Sequence, residues 1–132
     1  SWLVNSRVNN KGIRYSHISK DQGKSWITKP ESKLIDPGCN ASLVKYDYGN
    51  YINSDLLLLS NINNQSKRKE IVVRHSLNGG VTWSEPKTIY AGSAAYSSMT
   101  VLNNGEIGLL FEMDSYSKNV FTKFSLDWLM NN

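Results

Sequence analysis

Four polar side chains with chemical capacity stand where short strands begin or end: Arg7, Arg68, Tyr96 and Glu112. Arg7 closes the first predicted strand in Asn5-Ser6-Arg7, and Arg68 precedes the run Ile71–Ser76. Tyr96 lies in the small-residue stretch Gly92-Ser93-Ala94-Ala95-Tyr96-Ser97, which reads as a turn, and Glu112 ends the apolar run Ile107–Glu112. Two guanidinium groups suit an anionic ligand, because they bind carboxylates through paired, charge-assisted hydrogen bonds and stay charged at any working pH. Each residue also has a plainer reading. Arg7 and Glu112 alone would be solvated strand ends, Lys67-Arg68-Lys69 a soluble charged loop, and Tyr96 a packing tyrosine. A fold that gathers strand ends around one axis would separate the two readings.

The elements that must position these groups are short strands. Turn chemistry is dense at Asn9-Asn10-Lys11-Gly12, Asp21-Gln22-Gly23, Asp36-Pro37-Gly38, Asn78-Gly79-Gly80 and Asn103-Asn104-Gly105. Between these turns, runs rich in leucine, β-branched and aromatic residues predict nine strands, near Trp2–Ser6, Ile13–Ile18, Ala41–Tyr46, Asp55–Ser60, Ile71–Ser76, Lys87–Tyr90, Ser97–Val101, Ile107–Glu112 and Val120–Phe124. Leu56-Leu57-Leu58-Leu59 reads as a buried strand, and Asp127-Trp128-Leu129-Met130 as a closing helical turn. No long amphipathic helix is predicted, so the fold class is all-β.

One phrase occurs twice. Ser19-Lys20-Asp21-Gln22-Gly23-Lys24-Ser25-Trp26 returns as Ser76-Leu77-Asn78-Gly79-Gly80-Val81-Thr82-Trp83, and 57 positions separate Ser19 from Ser76. Turn chemistry explains each position: Asp or Asn accepts from backbone N–H groups, glycine takes a positive φ, and Ser or Thr adds a hydroxyl. The tryptophan then packs its indole against neighbouring strands. The phrase is a hairpin clasp with a structural role. A repeat at this period argues for radially arranged sheets. Nine short strands make about two four-stranded antiparallel blades of a propeller, which cannot close a ring alone. The chain is therefore expected to be a segment of a larger propeller, with a two-sheet sandwich as the other possibility.

Bulk properties exclude several classes. The 132 residues carry a net charge of +4, with positive residues scattered apart from Lys67-Arg68-Lys69. No basic stripe with interleaved aromatics predicts nucleic-acid binding. No apolar run approaches the ~20 residues of a membrane span. Cys39 is the single cysteine and reads as a small buried residue. His17 and His75 each stand alone in strand context, so neither a metal nor a cofactor is expected. Arg14, Arg74 and Asp114 read as surface residues. The chain opens on strand-like sequence without a targeting segment.

The ordered set of motifs resembles the C-terminal part of an exo-α-sialidase (neuraminidase) of the six-bladed Asp-box propeller superfamily. The clasps resemble its Asp boxes, and Asn5-Ser6-Arg7 its Asn-x-Arg motif, which carries the second arginine of the substrate triad. Arg68, with the strand into the next clasp, resembles the third arginine. Tyr96 in Ala95-Tyr96-Ser97 resembles the tyrosine nucleophile, and Glu112 in Phe111-Glu112 the glutamate that orients the first arginine. Asp36-Pro37-Gly38-Cys39-Asn40-Ala41-Ser42 resembles a loop usually written Cys-Gln, which places Asn40 near the pocket. The resemblance covers essentially the whole chain.

It implies a retaining sialidase that removes terminal α-linked sialic acids from glycoconjugates, without metal or cofactor. Arg7, Arg68 and Asn40 would bind substrate, while Tyr96 and Glu112 would be catalytic. A neutral phenol suits this substrate, since a carboxylate nucleophile would be repelled by the sugar's own carboxylate. The general acid/base aspartate, the first arginine and the glutamate partner of the tyrosine have no match here. The isolated chain is therefore expected to be inactive, its partners being the remaining blades of the same propeller. Secretion or display at the cell surface is the implied location. Asn78 for Asp and Ser25 for Thr keep their hydrogen-bonding roles, whereas Asn40 for Gln shortens a pocket contact. The alternative is a non-catalytic Asp-box module that binds anionic glycans or proteins.

Overall fold

Alternating apolar and polar residues between close turns leave the chain little choice but short paired strands, and nine form in a computed structural model that describes residues 1–131. The first blade is the three-stranded antiparallel sheet β1 (Trp2–Ser6), β2 (Ile13–Ser19) and β3 (Ile27–Ile35). The second runs through β4 (Ser42–Lys45), β5 (Leu57–Ile62), β6 (Lys69–Ser76) and the start of β7 (Lys87–Val101). The far half of β7 then pairs with β8 (Ile107–Met113), which pairs with β9 (Lys118–Phe124). A single turn of helix, α1 (Leu126–Met130), closes the described chain as predicted, with Ser125 Oγ accepting the Trp128 N–H at its start.

Two strands differ from expectation. β3 was not predicted, because Ile27-Thr28-Lys29-Pro30-Glu31-Ser32-Lys33-Leu34-Ile35 is charged, holds a proline and is mostly exposed. It is the outer edge strand of its blade, where a missing N–H costs no ladder bond and charge guards against further pairing. β7 is continuous where a turn was expected at Gly92–Ser97. Gly92 is not in the left-handed region. Its missing Cβ makes room for the Tyr90 ring, whose Oη lies 2.5 Å from where that atom would be. One strand thus serves as the outer strand of the second blade and the first strand of the third.

The clasps lie between β2 and β3 and between β6 and β7, at equivalent places in successive blades. In the first, the Gly23 N–H donates to Ser19 Oγ (2.7 Å) and the Ser25 N–H to Asp21 Oδ1 (2.8 Å). In the second, Gly80 donates to Ser76 Oγ (2.8 Å) and Thr82 to Asn78 Oδ1 (2.9 Å). One hydrogen bond changes direction between the copies. The Ser25 hydroxyl donates to Asp21, whereas Asn78 Nδ2 donates to Thr82 Oγ1 at 2.8 Å. Gly80 has φ +91°, a conformation that favours glycine, and a Cβ there would fall 2.6 Å from Leu3 Cδ2, which would have to shift.

The core fills the space between the second and third blades, with Leu58, Ile71, Val73, Met99, Ile107 and Phe111 among its buried members. β5 is buried on both faces, which is why its leucines run together instead of alternating. Full burial of one such side chain stabilises the fold by about 1.5–3 kcal/mol. Cys39 is fully buried. No helix among the described residues is long and apolar enough to cross a membrane.

Candidate carboxylate-binding site at Tyr96

Arg14 and Arg74, expected at the surface, are buried, each only 4 % exposed, and they build the floor that positions the site. Both point inward from central strands of their blades. A buried guanidinium needs partners. Arg14 Nη1 pairs with Asp36 Oδ2 at 2.8 Å and donates to the Cys39 carbonyl at 2.9 Å, while its Nε donates to Asn5 Oδ1. Asp36 is completely buried, and both its oxygens are used. Oδ1 accepts the N–H groups of Gly38 (2.7 Å) and Cys39 (2.9 Å), and Oδ2 also accepts from Asn61 Nδ2 (3.2 Å). Arg74 donates to Asn61 Oδ1 and Asn63 Oδ1, both at 3.3 Å, and burial holds its pKa below the ordinary arginine value. This network fixes the loop from Asp36 to Asn40 across two blades.

That loop meets Arg7, whose Nη1 lies 3.5 Å from the Gly38 carbonyl it donates to and 3.4 Å from Tyr96 Oη. Arg68 leaves a loop held by an Asn64 turn, in which Oδ1 accepts the N–H groups of Ser66 (3.0 Å) and Lys67 (2.8 Å). Its own carbonyl accepts the Ala94 N–H at 3.1 Å. The two guanidinium carbons then lie 5.8 Å (Arg7) and 5.5 Å (Arg68) from the centroid of the Tyr96 ring, within cation–π range. Tyr96 is 42 % exposed. Two cations and one phenol, brought from three separate segments, thus form a single cluster. No carboxylate lies within ion-pair distance of either arginine among the described residues.

Glu112 is part of this assembly through the backbone: its Oε1 accepts the Tyr96 N–H at 3.0 Å. Asn40 is exposed and lines a shallow cavity of about 290 Å³ with Tyr96, Glu112 and Asn119. A second cavity of about 220 Å³ lies beside Arg68, walled by Tyr116 and floored by Ser93, Ala94 and Ala95. Tyr116 was not singled out in the sequence. Its Oη accepts from Arg68 Nη1 at 2.9 Å, and this bond is the main reason the Arg68 pKa rises further. Asp114 is a hydrogen-bond acceptor for the Tyr90 hydroxyl (2.8 Å), which also pushes the Tyr90 pKa up, and is not a free surface carboxylate. Burial pushes the Cys39 thiol up despite the nearby arginines, which leaves it unreactive.

The histidines stand apart from this cluster. The His17 ring bridges Ser6 Oγ (2.8 Å) and Thr28 Oγ1 (2.9 Å), and burial lowers the His75 pKa. No group of three His, Cys, Asp or Glu could hold a metal ion among the described residues.

The model of a family described as BNR repeat-like domain matches residues 1–109. A sialidase of Bacteroides fragilis is 34% identical over 116 residues, covering 83% of this chain and 21% of that protein. A sialidase of Micromonospora viridifaciens is 33% identical over 132 residues, covering 96% of this chain and 20% of its own length. The chain thus spans about a fifth of the length of the curated relatives it matches. Among solved structures, the Hadza microbial sialidase Hz136 superposes with a TM-score of 0.82 at 30% identity, over 96% of this chain and 25% of that one. The intramolecular trans-sialidase of Ruminococcus gnavus shares the fold, with a TM-score of 0.75 at 23% identity, over 98% and 31%.

Proposed function

The chain belongs to the BNR repeat-like family as a sialidase-type Asp-box propeller segment, and from that membership we propose that it supplies part of the active site of an exo-α-sialidase. The observation that carries this reading is the flanking of one exposed phenol by two arginines that have no acid partner among the described residues. Such a site attracts a carboxylate and holds a nucleophile beside it.

Arg7 and Arg68 bind the carboxylate on the anomeric carbon of a terminal sialic acid. Asn40 contacts the sugar from the neighbouring cavity. Tyr96 Oη forms a bond to the anomeric carbon as the bond to the leaving oxygen breaks. That oxygen takes a proton from a general acid, and the phenol passes its proton to a base. Water then attacks the same carbon, the bond to Tyr96 breaks, and two inversions leave the configuration retained. Sialidases are the recognised tyrosine case among glycosidases. Glu112 braces Tyr96 and supports the first arginine of the triad. The acid, the base and that arginine belong to other blades of the same propeller, of which residues 1–132 are a C-terminal segment. The isolated chain is therefore inactive. Because sialylated glycoconjugates are met outside the cytoplasm, the propeller is read as secreted or cell-surface.

A fluorinated sialoside with a good leaving group tests this directly. Incubated with the complete propeller, it should leave a covalent sialyl adduct on the peptide that contains Tyr96. An adduct elsewhere, or undiminished turnover in Tyr96→Phe, would overturn the assignment. Binding without turnover by the complete propeller would favour a non-catalytic glycan-binding module.

A further inference from the structure

Three consecutive non-glycine residues, Asp114, Ser115 and Tyr116, adopt φ +52°, +56° and +70° in the turn between β8 and β9. Each such residue costs roughly 1–2 kcal/mol relative to the right-handed region. Joining two antiparallel strands does not require this, since glycine- or asparagine-based turns do it without the strain.

The surrounding structure holds the turn in place. The Asp114 N–H donates to the Ser93 carbonyl and the Ser115 N–H to Ser93 Oγ, both at 2.9 Å. The Tyr90 hydroxyl donates to Asp114 Oδ1 at 2.8 Å, and the Ser117 hydroxyl to the Asp114 carbonyl at 2.7 Å. What these ties deliver is the Tyr116 phenol, 57 % exposed, at 2.9 Å from Arg68 Nη1.

We propose that Tyr116 is a positioning residue that fixes the Arg68 guanidinium for a ligand carboxylate without neutralising it. The inference rests on the reading of Arg68 as a carboxylate-binding arginine and deepens it. An unrestrained arginine gives up about 2 kcal/mol of rotamer freedom when a ligand immobilises it. A carboxylate partner would remove that cost but would cancel the charge the ligand needs. A phenol oxygen accepts one N–H and leaves the charge whole, so the site is organised before the ligand arrives. The cavity beside this pair stays open.

Tyr116→Phe keeps the ring and the turn and removes only the acceptor. Two measurements test it. In the ¹⁵N-labelled chain without ligand, the Arg68 guanidinium should show restricted rotation in wild type and averaged signals in Tyr116→Phe; identical signals would overturn the inference whatever the ligand. In the complete propeller, affinities for methyl α-sialoside and its C1 carboxamide should differ in favour of the acid. Tyr116→Phe should narrow that preference about three- to tenfold, a change that a merely structural role would not produce. A wild-type preference that Tyr116→Phe leaves intact would overturn the positioning role alone. The absence of any wild-type preference would overturn the reading of the site, and this inference with it.

Discussion

Glu112 Oε1 accepts the backbone N–H of Tyr96 at 3.0 Å because the ladder between β7 and β8 breaks beside them. Ala94 pairs with Met113 and Ser97 with Phe111, so Ala95 and Tyr96 together oppose the single residue Glu112. This is the two-against-one arrangement of a β-bulge, which leaves an amide unpaired and re-aims a side chain. The glutamate supplies the missing acceptor. Glu112→Ala should lower stability by about 0.5–1.5 kcal/mol and speed hydrogen exchange at the Tyr96 amide. Glu112→Gln, which retains an oxygen acceptor, should lose less. Unchanged Tyr96 protection in Glu112→Ala would contradict the bracing role.

The Arg14–Asp36 pair should be far more costly to break. Asp36 is fully buried and its four bonds hold both the loop and Arg14. Removal of one partner leaves the other as an unpaired buried charge, at a cost of about 3–5 kcal/mol. Asp36→Ala should therefore shift the urea midpoint strongly downward. It should also move the resonances of Gly38 and Asn40, which the loop carries. A midpoint equal to wild type would rule out a positioning role for the network.

The two clasps should part company in acid. Asp21 has its pKa lowered, first by the Ser25 hydroxyl and then by the Ser25 N–H and Ser19. A carboxyl with a depressed folded pKa contributes stability that is fully present above its unfolded value, near 3.9. That contribution is lost as pH falls through the lower folded value. Asn78 has no proton to gain. Below about pH 4 the first clasp should loosen while the second holds, and Asp21→Asn should abolish the difference. Amide shifts of Gly23 and Gly80 followed together through acid would decide it, with parallel behaviour counting against the prediction.

Much of this was legible because turn chemistry is local. Ser19-x-Asp21-x-Gly23 declares its hydrogen bonds within five residues, and its second copy marks the next blade. Strands with one buried face were equally plain, as in Ile107–Met113. β3 was hidden because an edge strand shielded by charge and Pro30 has no apolar alternation to read. Arg14 and Arg74 were hidden for the opposite reason. Their partners, Asp36 and Asn61, lie on other segments, and only the packed blades bring them together. Tyr116 was missed because three left-handed residues without glycine carry no turn signature. Motif order alone points to Arg7, Arg68 and Tyr96, whereas their shared geometry comes from three segments that meet only in the fold.

That geometry sets up the last prediction. Arg7 and Arg68 face one ring from 5.8 and 5.5 Å, and neither has a carboxylate partner among the described residues. Two like charges so arranged gain little for stability, and a bound carboxylate would relieve their repulsion. Arg7→Met and Arg68→Met should therefore leave the chain's stability within about 0.5 kcal/mol of wild type, or raise it. In the complete propeller the same changes should raise KM for a sialoside by about ten- to a hundredfold, the worth of a hydrogen bond to a charged group. Raised salt should weaken wild-type binding through screening and affect the variants less. A structural arginine would show the reverse: a lower melting temperature with unaltered KM. Paired thermal melts and steady-state kinetics on the two variants separate these outcomes, because a ligand-binding arginine loses affinity while the fold it stands on keeps its stability.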